Sequence, residues 1–156
     1  VQAEQKIGDQ EPHFLVFEQT KYALEGRMSL AIIGGIIEPH EEPEQAARRE
    51  VEEEMGGLQC QDFHFLGRFR TDVNRGMGWT NTFLAANCRK AKPKEVAEQH
   101  ENQEEEVGVA DTERQDLKRI SLNDLRQAAI AGEFLEIQWT AAVTLALLRP
   151  EFRVEM

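Results

Sequence analysis

The segment Arg49-Glu50-Val51-Glu52-Glu53-Glu54-Met55-Gly56 constrains this chain more than any other. Residues three and four apart share one face of an α-helix, so Glu50, Glu53 and Glu54 point into about one third of a helix circumference. Val51 and Met55, with Ala47 a turn earlier, form an apolar stripe beside those carboxylates. Such a helix buries one stripe against a sheet and turns the other toward a cleft at the edge of that contact. Like charges at these spacings destabilise a helix by about a few tenths of a kcal/mol per pair. Hard divalent cations such as Mg²⁺ neutralise carboxylate clusters and complete their shell with water and substrate phosphate. A solvated acidic surface helix is the plain alternative for the stretch taken alone. Arg49 stands four residues before Glu53 and can hold its rotamer across one turn. Gln45, Arg48 and Glu52 fall on the solvent side.

The rest of the chain supplies the sheet. Val1–Ile7 and His13–Tyr22 are strand-like around the turn Gly8–Pro12. The apolar run "MSLAIIGG" reads as a buried strand closed by Gly34 and Gly35, and Ile36–His40 as a loop. Pro43 sits in the first turn of the acidic helix, where proline is tolerated, and Gly56-Gly57 ends that helix in a left-handed conformation. Leu58–Arg70 and Gly78–Cys88 form a strand pair. Ala91–Thr112, rich in Lys, Glu, Gln and His, reads as a solvated loop. Asp116–Ile120 is a short strand. Ser121 with Asp124 starts a helix that ends at Gly132, and Ile137–Leu148 is a last helix stopped by Pro150. Strands and helices mix without strict alternation, which predicts an α+β fold with a mixed sheet. The 156 residues suit a single domain, 1–156.

The net charge of -11 argues against nucleic acid or an anionic membrane as partner and favours a site that concentrates cations. No apolar run approaches the ~18 residues of a membrane span, and nothing resembles a signal peptide. An intracellular, cytoplasmic enzyme is the default expectation. The chain starts at Val1, so a removed leader, an organelle transit peptide included, stays open. Cys60 and Cys88 lack metal-type spacing and are expected to be buried reduced thiols.

The framing of the acidic helix adds specificity. Gly35 lies six residues before Glu41, Glu41 eight before Arg49, and Gly56 ends the helix. In this pattern the sequence resembles the Nudix hydrolase family. Its signature runs Gly, five residues, Glu, seven residues, then Arg-Glu-(apolar)-x-Glu-Glu-x-Gly-(apolar). Every fixed position matches except the last, where Gly57 replaces an apolar residue and Leu58 follows. The resemblance implies an α/β/α sandwich in which helices flank a mixed β-sheet. It implies a hydrolase of phosphoric anhydrides that uses Mg²⁺ or Mn²⁺ and an attacking water. Glu50, Glu53 and Glu54 would be the metal ligands, joined by the backbone carbonyl of Gly35. Arg49 would orient Glu53, and Glu41 would support Arg49 or a water on the metal.

"FEQTKY", the extended box region and "GVADTERQDLKRISLNDLRQAAIAGEF" further resemble the ADP-ribose and ADP-sugar pyrophosphatase branch. That likeness implies cleavage of ADP-ribose or another nucleotide sugar to AMP and a sugar phosphate. Glu113 would be the general base, with Glu104, Glu105 and Glu106 as fallbacks. The branch's marker proline is absent, since Val73 and Asn74 stand there. The tyrosine that marks dinucleoside polyphosphate hydrolases is absent too, Tyr22 being the only tyrosine. Nucleoside triphosphates or dinucleoside polyphosphates are the alternative substrates, and a nucleotide-sensing module without catalysis is the alternative class. The reduced N-terminal part weakens the homodimer that the branch implies. For substrate contacts, Arg27, Arg70 and Arg75 are candidates for phosphate, with Arg68 beside them. Trp79 is a candidate for stacking on adenine, although its place in a strand also reads as core. Phe17 and Phe83 read as core and His40 as surface.

Overall fold

Strand β2 (His13–Gln19) organises the sheet, because consecutive apolar residues bury both of its faces. Phe14 and Val16 enter one cluster with Leu84, Leu125 and Val143. Leu15 and Phe17 enter another with Val51, Met55 and Leu58. A strand covered on both sides reads as a continuous apolar run rather than an alternating one. The computed structural model from which this follows describes residues 2–4 (backbone), 12–90 and 115–152. Glu104, Glu105, Glu106, Glu113 and the expected loop Ala91–Thr112 lie outside the described residues.

Among the described residues six strands form one mixed sheet: β1 (Gln2–Glu4), β2, β3 (Ser29–Ala31), β4 (Leu58–Arg70), β5 (Trp79–Lys90) and β6 (Gln115–Ser121). β6 pairs along the full length of β2. On the other edge β1 pairs with His13–Leu15 and β3 with Phe17–Gln19, so the two short strands share that edge end to end. β1 runs parallel to β5, which is what makes the sheet mixed. β5 and β4 close the sheet as a long antiparallel hairpin. Helix α1 (Pro43–Glu54) covers one face. Helices α2 (Leu122–Ala131) and α3 (Ile137–Leu147) pack mainly on the other. The layers form the expected α/β/α sandwich.

Local signals act largely as the sequence predicts. Glu42 and Gln45 form a reciprocal capping box around Pro43, and Gly56 and Gly57 take φ of 63° and 76° after α1. Ser121 Oγ accepts from the Asp124 N–H at the start of α2. The second strand stops at Gln19, short of Tyr22, because Tyr22–Leu24 form a 3-10 turn instead. The apolar run after it contributes only Ser29–Ala31 as strand.

The cysteines correct the sequence reading. Cys60 and Cys88 are not reduced thiols but a disulfide between directly paired positions of β4 and β5. Their Cα atoms are 3.9 Å apart and the bond lies in the cluster beneath α1. Separate along the chain, the two residues become neighbours only through strand register.

Candidate active site on helix α1

Arg49 is the hub of the acidic helix. Its Nε donates to Glu41 Oε1 at 3.0 Å and its Nη2 to Glu41 Oε2 at 3.1 Å. Its Nη1 reaches Glu50 Oε1 at 2.8 Å and Glu53 Oε2 at 3.2 Å, and Nη2 also donates to the Ile36 carbonyl at 3.0 Å. One guanidinium thus ties the loop before α1 to two carboxylates of the helix, using the planar fork that lysine lacks. Glu41 is further fixed by the Glu38 N–H at 3.0 Å. The Arg49 hydrogen bonds, above all, hold the Glu41 carboxyl below the usual carboxylate range. Bonds to Glu41 and then Glu50 raise the pKa of Arg49.

Glu50 and Glu41 are 15% exposed at the side chain and Glu53 is 60% exposed, so the cluster runs from a sheltered end to an open one. Gly35 packs against the sheltered end: a Cβ there would stand 1.9 Å from Cδ and Oε1 of Glu50. Desolvation, with the negative charges of Glu50 and Glu53, raises the Glu54 pKa, while Lys21 opposes the rise. Four carboxylates therefore stand against two cations, three of them on Arg49 and Glu54 near Lys21. That surplus of hard oxygen donors fits a divalent cation. Among the described residues no three acidic, His or Cys side chains converge as a metal cage in the conformation shown. In that conformation the carboxylates of Glu50 and Glu53 are paired with Arg49.

The apolar stripe of α1 is Ala46, Val51 and Met55, with Ala47 only half-buried. Arg48 is not a bare solvent residue. Its guanidinium pairs with Glu44 at 2.8 Å, donates to the Cys60 carbonyl at 3.0 Å and lies 4.2 Å from the centre of the Phe63 ring. Gln45 belongs to the cap described above, and Glu52 accepts from Gln59 at 3.5 Å.

Beside Glu50 opens a cleft of about 650 Å³. Its walls include Ile33, Gly34, Gly35, Val51, Met55, Phe63, Trp79, Phe83 and Trp139. Trp79 is 51% exposed, which overturns the reading of it as core. Phe83 is half-buried in the cleft wall rather than fully buried, and its ring centre lies 5.3 Å from that of Phe65. Phe17 is core. The guanidinium carbons of Arg68 and Arg70 lie 4.7 and 5.0 Å from the centre of the Trp79 ring. A bulge makes this possible. Between Phe65 and Gly67 the register of β4 shifts by one residue, so Arg68 and Arg70 project on the cleft side, as Phe63 does before it.

The remaining candidates are spread out. Arg75 is 83% exposed in the β4–β5 turn and pairs with Asp72 at 3.7 Å. Arg27 lines a separate depression with Glu18, Met28 and Glu133, away from the cleft, and its Nε donates to the Leu24 carbonyl at 3.3 Å. His40 lies on the surface with φ of 72°. Sequence reasoning gave Arg68 only a secondary place and missed Trp139. The apolar periodicity of α3 was the available signal, but it does not reveal which helix end borders a cleft.

A family model described as the NUDIX domain matches residues 7–140. Among solved structures, one titled as an ADP compounds hydrolase superposes with a TM-score of 0.63 at 19% identity. It covers 93% of this chain and 69% of that one. A mutT/nudix family protein from Listeria innocua superposes with a TM-score of 0.54 at 18% identity, covering 94% of this chain and 85% of that one. At such identities the likeness concerns the fold. Comparison with curated protein sequences gives no match.

Proposed function

Since this chain belongs to the NUDIX domain family, we propose that it is a Mg²⁺-dependent hydrolase that cleaves the diphosphate bond of a nucleoside diphosphate derivative. ADP-ribose or another nucleotide sugar is the proposed substrate, with AMP and a sugar phosphate as products. The observation that carries this reading is the Arg49 fork, which holds Glu41, Glu50 and Glu53 around one guanidinium beside the cleft.

The chain's own residues divide the work. Glu50, Glu53 and Glu54 would hold the cation, with the Gly35 carbonyl as a further donor. When bound, a divalent ion would offset the diphosphate charge and polarise the phosphoryl group under attack. Arg49 orients Glu50 and Glu53, and Glu41 fixes Arg49 from behind. Phosphoryl transfer depends chiefly on such positioning and electrostatics. Desolvation and the neighbouring Glu50 and Glu53 charges raise the Glu54 pKa, the kind of charge crowding that a cation would relieve. Glu113 is proposed to orient the attacking water. Arg70 and Trp79 at the cleft rim are proposed substrate contacts, with Arg75 nearby in the turn. Arg27 has a weaker claim, because it faces another depression.

The test is a product screen with Mg²⁺ across nucleotide sugars, dinucleoside polyphosphates and nucleoside triphosphates. AMP and ribose 5-phosphate from ADP-ribose are the expected products. Turnover of triphosphates alone would replace the substrate class. No turnover of any diphosphate compound with Mg²⁺ or Mn²⁺ would defeat the reading.

A further inference from the structure

We propose that the cleft takes the nucleobase end of the substrate rather than the sugar end, stacked on Trp79, with Arg68 as the residue that positions that ring. The proposal rests on the diphosphate reading only for where the phosphates go; the chemistry of the cleft argues the rest.

The cleft wall carries one ionisable side chain, Glu50, among the described residues, and no Lys, Arg or His. Most of its surface is apolar, with Phe63, Phe83 and Trp139 among the walls. A sugar phosphate placed there would bring several hydroxyls and a charge into a wall with few partners for them, and a buried polar group without a partner is costly. A nucleobase has the opposite distribution: two flat apolar faces and a polar edge. The polar side chains of the wall are few, and Thr80, Asn81 and Gln138 supply the amide and hydroxyl groups that such an edge can meet. Thr80 and Gln138 are themselves joined by a hydrogen bond of 3.1 Å, which links β5 to the first turn of α3. The volume of about 650 Å³ is within the ordinary range for a small-molecule site. Glu50 lies in the same wall, so a base seated here leaves its phosphates at the carboxylate helix.

Trp79 completes the fit. A half-exposed indole at a cleft wall is a stacking surface, and this one is held by two cations on one strand. Arg70 is the direct cross-strand partner of Trp79, and Arg68 is its diagonal neighbour. Arg68 lies opposite Asn81, another cleft residue, so its contact with the ring braces Trp79 from the cleft side of the hairpin. It acts on the base through the indole, as a positioning residue.

The experiment is a tryptophan fluorescence titration of the whole chain with AMP and, separately, with ribose 5-phosphate, in the parent and in Trp79→Phe and Arg68→Gln. Binding is read without turnover, so the outcome is independent of whether any diphosphate is hydrolysed. AMP is expected to change the emission saturably and ribose 5-phosphate to leave it unchanged. Trp79→Phe should weaken AMP binding, read from the emission of Trp139 in the same wall, and unchanged AMP affinity in it would overturn stacking on Trp79. Arg68→Gln should weaken AMP about two- to fivefold, the size of one exposed cation–π contact, and Arg68→Lys should restore part of that loss. Equal responses to both ligands, a response to ribose 5-phosphate alone, or no response to AMP would overturn the base-inward placement. Unchanged AMP affinity in Arg68→Gln would overturn the role of Arg68. A diphosphate hydrolase with no AMP response would lose only this inference, whereas AMP binding without turnover would leave it standing and remove the reaction.

Discussion

Glu41 and Arg49 are joined by two parallel hydrogen bonds of 3.0 and 3.1 Å, which pin the loop before α1 to the helix that carries the carboxylate face. The same guanidinium then reaches Glu50 and Glu53. Lysine would keep the charge and lose the fork. Arg49→Lys should lower turnover about 10–100-fold, the usual loss when a partner behind a metal ligand is removed. Steady-state kinetics on the folded variant checks this, and unchanged turnover would show that the fork does not orient the carboxylates.

The Glu41 pair also sets a pH dependence. Hydrogen bonds from Arg49 and the Glu38 N–H lower the pKa of Glu41 in the folded chain. A carboxylate with a lowered folded pKa contributes stability above its unfolded pKa, about 4.3. That contribution is lost as pH falls through the folded value. Glu41→Gln has nothing to titrate there. Its melting temperature should lie below the parent's at pH 7, and the gap should close as the pH is lowered below about 4. A gap that stays constant across thermal melts from neutral to acid pH would contradict the assignment.

Gly35 is held to its size by Glu50. A methyl group at this position would land 1.9 Å from the Glu50 carboxyl, so Gly35→Ala must displace that side chain. The expected result is a weaker response to Mg²⁺, with the apparent activation constant raised about tenfold or more, and a modest change in melting temperature. A Mg²⁺ titration of activity measures it. An unaltered activation constant would mean that Glu50 does not contribute to the cation site.

Much of this site was legible because its signal is local. The spacing of Glu50, Glu53 and Glu54 is a property of one helix, and the capping residues Pro43, Gly56 and Gly57 bound that helix on the chain itself. The run "FLVF" announced a strand, though not that both of its faces would be buried. What was not legible depends on distant pairing. Cys60 and Cys88 meet only because β4 and β5 take one register. Trp79 read as core as well as a stacking candidate, because strand alternation does not say which face is covered. Its partners Arg68 and Arg70 reach the cleft side only after the bulge between Phe65 and Gly67. Arg48 does lie on the solvent side, but helix spacing could not show that its guanidinium also reaches carbonyls of β4, Cys60 among them.

The disulfide closes a separation of 28 residues between the hairpin strands. A crosslink of this kind stabilises by about 2–4 kcal/mol, chiefly by restricting the unfolded chain. Cys60→Ala with Cys88→Ala should lower the denaturation midpoint accordingly, and a thiol reductant should lower the parent's midpoint while leaving that of the double variant unchanged. Equal midpoints for parent and double variant in urea, without reductant, would show that the bond contributes nothing.

The account stands on the carboxylate face of α1 as the seat of a cation that serves diphosphate cleavage. Glu53 is 60% exposed at the side chain, so its substitution perturbs little packing. The direct measurement is Mg²⁺-dependent release of AMP from ADP-ribose by the parent and by Glu53→Gln at matched concentrations, with a thermal melt of each. The prediction is turnover by the parent, a loss of orders of magnitude in Glu53→Gln, and closely similar melting temperatures. Retained turnover in Glu53→Gln would contradict the assignment of this helix face to the reaction.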